Sequence, residues 1–383
     1  MINLLKRLPI LNKIRIRKRL NYYVYRYMLS EKQVILGENN PNCKHDLVTK
    51  QLKKYPTKSL ELRNKIDHIY ANANITTNQN ELFIDICFCF FAYGYSPNEY
   101  VCYDFKNKST EERRAFISDR ESVCYGYRMN DIESMHVFMN KMRTYEKYCE
   151  YYKRDAISIS KIQDKEKFLD FINRHNIFIK KEVNESCGRS IELINMNNSN
   201  LGAEELFSTF LSKGEIILEE RVVQDTIMNQ LNSSSVNTVR CITMKTKNGV
   251  ITPFCFLKIG RAGALIDNGM AGGILVGIDS DTGKLVTDGV DEMNNRYAFH
   301  PDSGVRFVGF QLPEWKQLLS ICIEMSAKTP AVKLIGWDMA HTEIGWVVIE
   351  GNGLTEVIGP QSTFLRGIRS EWEFYMSSMD LIF

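Results

Sequence analysis

Gly336-Trp337-Asp338-Met339-Ala340-His341-Thr342-Glu343-Ile344-Gly345-Trp346-Val347-Val348-Ile349-Glu350-Gly351-Asn352 is the stretch that decides how this chain is read. Residues 332–339 and 346–350 are apolar runs, and a polar turn containing Gly345 separates them, which is the pattern of a β-hairpin. In a regular hairpin that turns at Ile344, Asp338 faces Glu350 across the strands. Side chains alternate faces along a strand, so Glu350 and Asn352 share one side and the three oxygen-bearing side chains converge. Two carboxylates opposed in a mostly buried hairpin repel, and burial raises the cost of ionising both. A hard dication removes that cost. An Asp, Glu and Asn set suits Mg²⁺, which commonly takes a few carboxylates together with nucleotide phosphates. A second reading stays open, in which Asp338 pairs with a nearby Arg or Lys while Glu350 and Asn352 merely begin the loop at 351–353.

Outward from the hairpin, the chain of 383 residues exceeds one usual domain, and 44% hydrophobic residues supply a sizeable core. Residues 156–383 alternate short β-branched runs with Asn, Gly and Ser, which signals an α+β region with helices at 164–176 and 203–211. Residues 81–155 are helix-rich: 81–93 reads as a buried helix ending at Gly94, and 110–152 is dense in Tyr, Arg and Met. Residues 1–80 form a basic, mostly helical region with polar breaks at 37–42 and 72–80. Asp279-Ser280-Asp281-Thr282-Gly283 imitates a calcium loop, but Lys284 stands where an EF-hand needs Gly, which leaves a polar hairpin turn. No Gly-x-Gly-x-x-Gly, no Gly-Lys-Ser/Thr and no internal repeat occurs.

The net charge of +3 is small and the basic residues are spread along the chain, which argues against a general nucleic-acid binder. Ten cysteines occur without a C-x-x-C pair or zinc spacing, and Cys87 and Cys89 lie in an apolar segment; both facts fit free thiols in a reducing cytoplasm. The longest apolar run, 82–92, contains Asp85 and is too short to span a bilayer, and no signal-peptide pattern opens the chain. Residues 1–30 stand apart, with eight basic side chains and no acidic one, interleaved with Leu, Ile and Tyr. Such a segment either lies on an anionic membrane surface, at the inner face of the membrane, or packs an apolar stripe on the body of the protein.

The Asp338 strand followed by Glu350-x-Asn352 resembles the carboxy-terminal metal motif of the ATP-grasp superfamily, and over about residues 140–365 the chain is similar to its sugar-transfer-associated group. Asn140-Lys141 resembles the element whose lysine reaches a nucleotide phosphate. Ile177-Phe178-Ile179-Lys180 is similar to the strand whose lysine contacts the α and β phosphates. Asn184-Glu185-Ser186-Cys187-Gly188-Arg189-Ser190 stands where the family has a small-residue phosphate loop, with Ser186 and Gly188 toward the nucleotide. Lys181 in place of the usual Pro, and a single Gly in the loop, depart from that pattern. Residues 216–222 resemble the hinge strand, where Glu219 and the backbone at Arg221 or Val222 read adenine and Asp225 reaches the ribose. Ser235-Val236-Asn237-Thr238-Val239-Arg240 resembles the signature of the group, and its Arg240 is expected to face the transferred phosphoryl, which a planar guanidinium holds bidentately. Residues 256–273 and 300–304 continue the likeness. Lys258, Arg261 and Asp267 are candidates for an acceptor pocket, whereas His300 and Arg306 read better as structural or surface charges.

The resemblance implies an α+β, ATP-grasp fold in which two α+β lobes clasp ATP, preceded by a helix-rich amino-terminal region. It implies ATP and Mg²⁺ as cofactors, with Lys141 and Lys180 on phosphates, Asp338, Glu350 and Asn352 on the metal, and Lys180 and Arg240 as catalytic cations. The implied activity is a carboxylate–amine ligase: the γ-phosphoryl passes to a carboxylate, an amine attacks the acyl phosphate, and an amide and ADP result. Its implied substrates are an amino acid and a sugar acid or aminosugar, free or lipid-linked, in cell-surface polysaccharide or capsule biosynthesis. Two alternatives are a kinase of a sugar or lipid-linked hydroxyl with Asp267 as base, and a non-catalytic ATP-binding scaffold of polysaccharide assembly.

Overall fold

The computed structural model describes residues 9–72, 78–182, 191–198, 201–263, 267 and 272–381. The amino-terminal part is helical: α1 (Pro9–Tyr25), α2 (Glu31–Asn39), α3 (Pro41–Lys54), α4 (Pro56–Asn72), α5 (Gln79–Tyr93), α6 (Pro97–Cys102), α7 (Thr110–Arg114), α8 (Asp119–Met129), α9 (Ile132–Met135) and α10 (Lys141–Tyr152). Its core gathers on α5, whose Cys87, Phe88, Cys89 and Phe91 are fully enclosed, and Gly94 ends that helix at φ 83. The polar break expected at 37–42 narrows to Asn40, which closes α2 and whose side chain accepts from the amides of Asn42 and Cys43 to open α3. Gly37 stays inside α2 because the Phe88 ring lies 2.4 Å from where its Cβ would be.

The remainder alternates strands and helices around two antiparallel sheets. The smaller has the order β1 (Ala156–Ile159), β4 (Ile216–Glu220), β2 (Ile177–Glu182), β3 (Glu192–Asn195). One face of it is covered by α11 (Lys165–Arg174) and α12 (Ala203–Ser212), whose Phe168, Phe171, Phe207 and Phe210 pack on Phe178, Ile216 and Leu218. The larger sheet runs β11 (Gly345–Asn352), β10 (Leu334–Thr342), β5 (Thr238–Thr246), β6 (Gly249–Ile259), β7 (Ile274–Gly277), β8 (Gly289–Val290), β9 (Arg296–Tyr297). Helix α13 (Thr226–Leu231) precedes β5, α14 (Trp315–Ala327) precedes β10, and α15 (Ile358–Phe364) and α16 (Arg369–Ser377) follow β11.

Period-2 alternation gives the larger sheet two unlike faces. Val239, Cys241, Leu257, Ile259, Trp337, Met339 and Val348 point to one side and form a core with Leu318, Cys322 and Met325 of α14. On the other side an apolar end, with Ile242 and Phe254, is roofed by Trp372 of α16, whose ring stacks on Phe254 at 5.8 Å. The opposite end of that face carries charge.

Candidate active site

The charged end is built by register. β10 pairs with β5 so that Asp338 is opposite Arg240, and β5 pairs with β6 so that Thr238 is opposite Lys258. Directly opposed residues share a face, so four polar side chains converge although their sequence positions span a hundred residues. Arg240 holds Asp338 through two bonds, Nε to Oδ1 at 2.5 Å and Nη2 to Oδ2 at 3.1 Å, and Lys258 Nζ reaches Oδ2 at 3.0 Å. Asp267 accepts from the Thr238 hydroxyl and lies 3.9 Å from Lys258 Nζ. Burial works against the Asp338 charge, and Arg240 and Lys258 outweigh it to hold the carboxyl below the usual range. Burial lifts Asp267 above its ordinary value, with Lys258 opposing.

The loop after β11 closes over this cluster. Thr355 Oγ1 accepts from Arg240 Nη1 at 3.2 Å, and desolvation raises the neighbouring Glu356 carboxyl against the opposing Arg240 charge. Neither residue carries a sequence signal that singles it out. Gly336 is required beneath them, since a Cβ there would lie 2.3 Å from Thr355 Oγ1.

Asp338 is opposite Glu350, and Gly336 is opposite Asn352, so both acidic groups and the amide lie on the charged face. The route to that pairing differs from the regular hairpin expected. Thr342 pairs with Gly345 across a two-residue turn, Glu343-Ile344, and an extra residue, Ile349, bulges out between the Val348 and Glu350 pairs to restore the register. The ion-pair arrangement left open by the sequence is realised at Asp338, which spends its two oxygens on Arg240 and Lys258.

Beyond the β11 edge a crevice opens toward the smaller sheet, lined by Lys141, Tyr152, Lys181, Glu219 and Glu350. Glu219 is 5% exposed and binds Arg154 at 2.7 Å and Lys181 at 2.8 Å. These two cations overcome the burial that would raise its carboxyl and bring it down from 4.5 to about 2. Arg154 also donates to the carbonyl of Val348, so one guanidinium ties the smaller sheet to the edge of the larger. Lys141 is the first residue of α10, which Asn140 caps by accepting from the Arg143 amide at 3.0 Å.

The alternation of β2 separates its two lysines. Lys181 shares a face with Glu219, whereas Lys180, expected toward the phosphates, lies on the helix-covered face with Phe178 and Leu218, where Glu192 at 2.9 Å and Glu182 at 3.6 Å take its charge. Arg221 and Val222 follow directly after β4, at the end of the expected hinge. Asp225 caps α13 through the Met228 amide and lies 3.1 Å from His341 Nδ1, whose Nε2 is 3.3 Å from Glu314, so it is grouped with the α14 side rather than with Asp338. Arg261 is engaged by Tyr297, Asp291 and the Gly272 carbonyl. His300 has a structural role, accepting from the Asp302 and Ser303 amides and lying 2.9 Å from the Gly260 carbonyl. Ser186 and Gly188 lie outside the described residues.

The donor chemistry fits a hard cation in kind. Glu350 offers a carboxylate, Asp338 Oδ1 accepts only from Arg240 Nε and so keeps a second lone pair, and the inner amide atom of Asn352 is buried with no hydrogen-bond partner. Turning that amide over exchanges nitrogen for oxygen and presents a lone pair at the same place. Among the described residues no group of three or more His, Cys, Asp or Glu is gathered for a metal, so any such site depends on the amide as well as the two carboxylates.

Two antiparallel α+β units meeting at a crevice of opposed charges define the class, and the sequence match names it. A family described as sugar-transfer associated ATP-grasp matches residues 121–373, and this chain belongs to that family. No curated protein matches the chain. Solved structures with a similar fold include the ATP-grasp ligase PsnB complexed with minimal precursor, with 9% identity, 66% of this chain and 64% of that one covered, and a TM-score of 0.41. D-alanine-D-alanine ligase from Coxiella burnetii shows 11% identity, coverage of 64% and 58%, and a TM-score of 0.40. N5-carboxyaminoimidazole synthetase from Staphylococcus aureus complexed with ADP shows 11% identity, coverage of 70% and 60%, and a TM-score of 0.42. The chain thus spans about three fifths of the length of these proteins.

Proposed function

We propose that this protein is an ATP-dependent carboxylate–amine ligase that joins an amino acid to a sugar acid or aminosugar for a cell-surface polysaccharide. The observation that carries the reading is the continuity of two cation groups: Lys141 and Lys181 in the crevice, and Arg240 and Lys258 on the sheet face, with Glu350 between them. ATP would lie along this line, its phosphates neutralised by Lys141 and Lys181 and its base near Arg221 and Val222. Asp338, Glu350 and Asn352 would hold Mg²⁺, which when bound supplies charge neutralisation at the transferring phosphoryl. Arg240 is positioned to stabilise charge on the phosphoryl and on the acyl phosphate, with a fork kept charged and oriented by Asp338. Lys258 would orient the acceptor carboxylate. No protein nucleophile takes part. A reducing cytoplasm is the consistent setting for the nine described cysteines, all free thiols.

One observation favours a kinase as the second reading. Asp267 stands beside Lys258 with a carboxyl raised by burial, where a base for a hydroxyl acceptor would be needed. The two separate in one experiment: Mg²⁺-dependent ADP release with sugar acids crossed with amino acids, beside Asp338→Ala and Lys181→Ala variants. The ligase releases ADP only with both partners present and yields an amide. ADP formation with a single hydroxyl acceptor moves the reading to the kinase, and ATP binding without turnover sinks both.

A further inference from the structure

Helix α1 has two stripes. Ile16, Leu20 and Val24, spaced i, i+4, i+8, pack toward the body of the protein, where Ile16 and Val24 are 5% and 3% exposed and Leu20 packs against the core cluster that contains Ile16 and Tyr127. Ile14, Lys18, Tyr22 and Tyr25 occupy the opposite arc at spacings of four, four and three, and Ile14, Tyr22 and Tyr25 are 52%, 60% and 61% exposed. Arg15, Arg17 and Arg19 flank this outer stripe and are exposed. The Arg26 guanidinium lies 5.1 Å from the Tyr22 ring centroid and so extends the cationic border. Among the described residues no other element covers this outer face, which combines large apolar side chains with cations.

Charge selects the occupant. Residues 1–30 hold eight basic and no acidic side chains, while the whole chain is only +3, so everything after residue 30 is net acidic. An anionic surface is attracted to this face and repelled by the rest of the molecule. We propose that α1 docks flat on a bilayer containing anionic phospholipid, with Ile14, Tyr22 and Tyr25 entering the headgroup region and the flanking arginines and Lys18 on the phosphates. Tyrosine suits that depth because its ring is apolar and its hydroxyl remains in water. Nucleic acid would satisfy the charges but leaves exposed Ile14 without a role. Among the described residues no helix is long and apolar enough to cross a membrane, so the contact is peripheral.

The test is co-sedimentation of the full chain with phosphatidylcholine vesicles, with and without phosphatidylglycerol, at low and high salt. Binding should require phosphatidylglycerol and fall with salt. Arg15→Gln/Lys18→Gln/Arg19→Gln should weaken it roughly a hundredfold, at about fivefold per cation. Ile14→Ser/Tyr22→Ser/Tyr25→Ser should weaken it roughly tenfold and leave the salt dependence in place. All substituted side chains are exposed, so the far-ultraviolet circular dichroism should match the parent. Absence of binding to the anionic vesicles, undiminished binding by the triple Gln variant, or tighter capture of single-stranded RNA than of vesicles at equal salt would overturn the proposal.

Discussion

Replacing Glu219 by Gln keeps the shape of the side chain and removes its charge from between Arg154 and Lys181. A carboxyl lowered from 4.5 to about 2 stabilises the folded state by about 3 kcal/mol at neutral pH. The range measured for breaking buried ion pairs by removing one partner, about 3–5 kcal/mol, agrees. The variant should therefore unfold more easily at pH 7 by about 3 kcal/mol, or about 4 °C in a chain of this length. Because the folded carboxyl is the stronger acid, its stabilisation is complete above the unfolded value near 4.5 and is lost as pH falls through about 2. Near pH 3 only about 1 kcal/mol remains, so the gap between parent and variant should narrow by about 2 kcal/mol between pH 7 and pH 3. Paired urea titrations of both proteins at the two pH values measure this directly, since carboxylates common to both cancel. A cost below about 1 kcal/mol at pH 7, or a gap that stays constant down to pH 3, refutes the ion-pair account of Glu219.

Three further outcomes are expected. Lys181→Met should weaken ATP binding at least tenfold in a calorimetric titration, at about 1.4 kcal/mol per decade, while Lys180→Met stays within about twofold; the reverse order would put the other face of β2 toward the nucleotide. Asp338→Asn leaves Arg240 and Lys258 without their shared anion, and ADP formation should fall by about 10²–10³, with a higher Mg²⁺ requirement in a metal titration. Unchanged turnover would remove Asp338 from the site. Gly336→Ala drives a methyl into Thr355 and crowds Arg240, and thermal melting should report a loss of about 1–3 kcal/mol together with reduced turnover.

Much of the site was legible because strand geometry is local. Period 2 puts Glu350 and Asn352 on one side, and the hairpin brings Asp338 opposite Glu350, although the bulge at Ile349 and the two-residue turn offset one another in a way that no residue pattern announces. A pairing of Asp338 with some nearby Arg or Lys was one of two open readings; that the partners are Arg240 and Lys258 depends on β10 pairing with β5 and β5 with β6, contacts between segments far apart in the chain. Arg154, Thr355 and Glu356 carried no periodic or motif signal and gain their place from where the sheets and the loop after β11 meet.

What the sequence by itself determined is therefore what alternation and composition determine: the α+β class of the second half, the helical first part, the hairpin partners, and the concentration of positive charge in residues 1–30. The strand read from the sequence ended at Lys180; because β2 runs on to Glu182, alternation puts Lys180 and Lys181 on opposite faces. Which of the two faces the crevice was decided only when α11 and α12 buried one side of the smaller sheet and left Lys181 on the other, because burial is a property of what packs against a face and not of the residues on it.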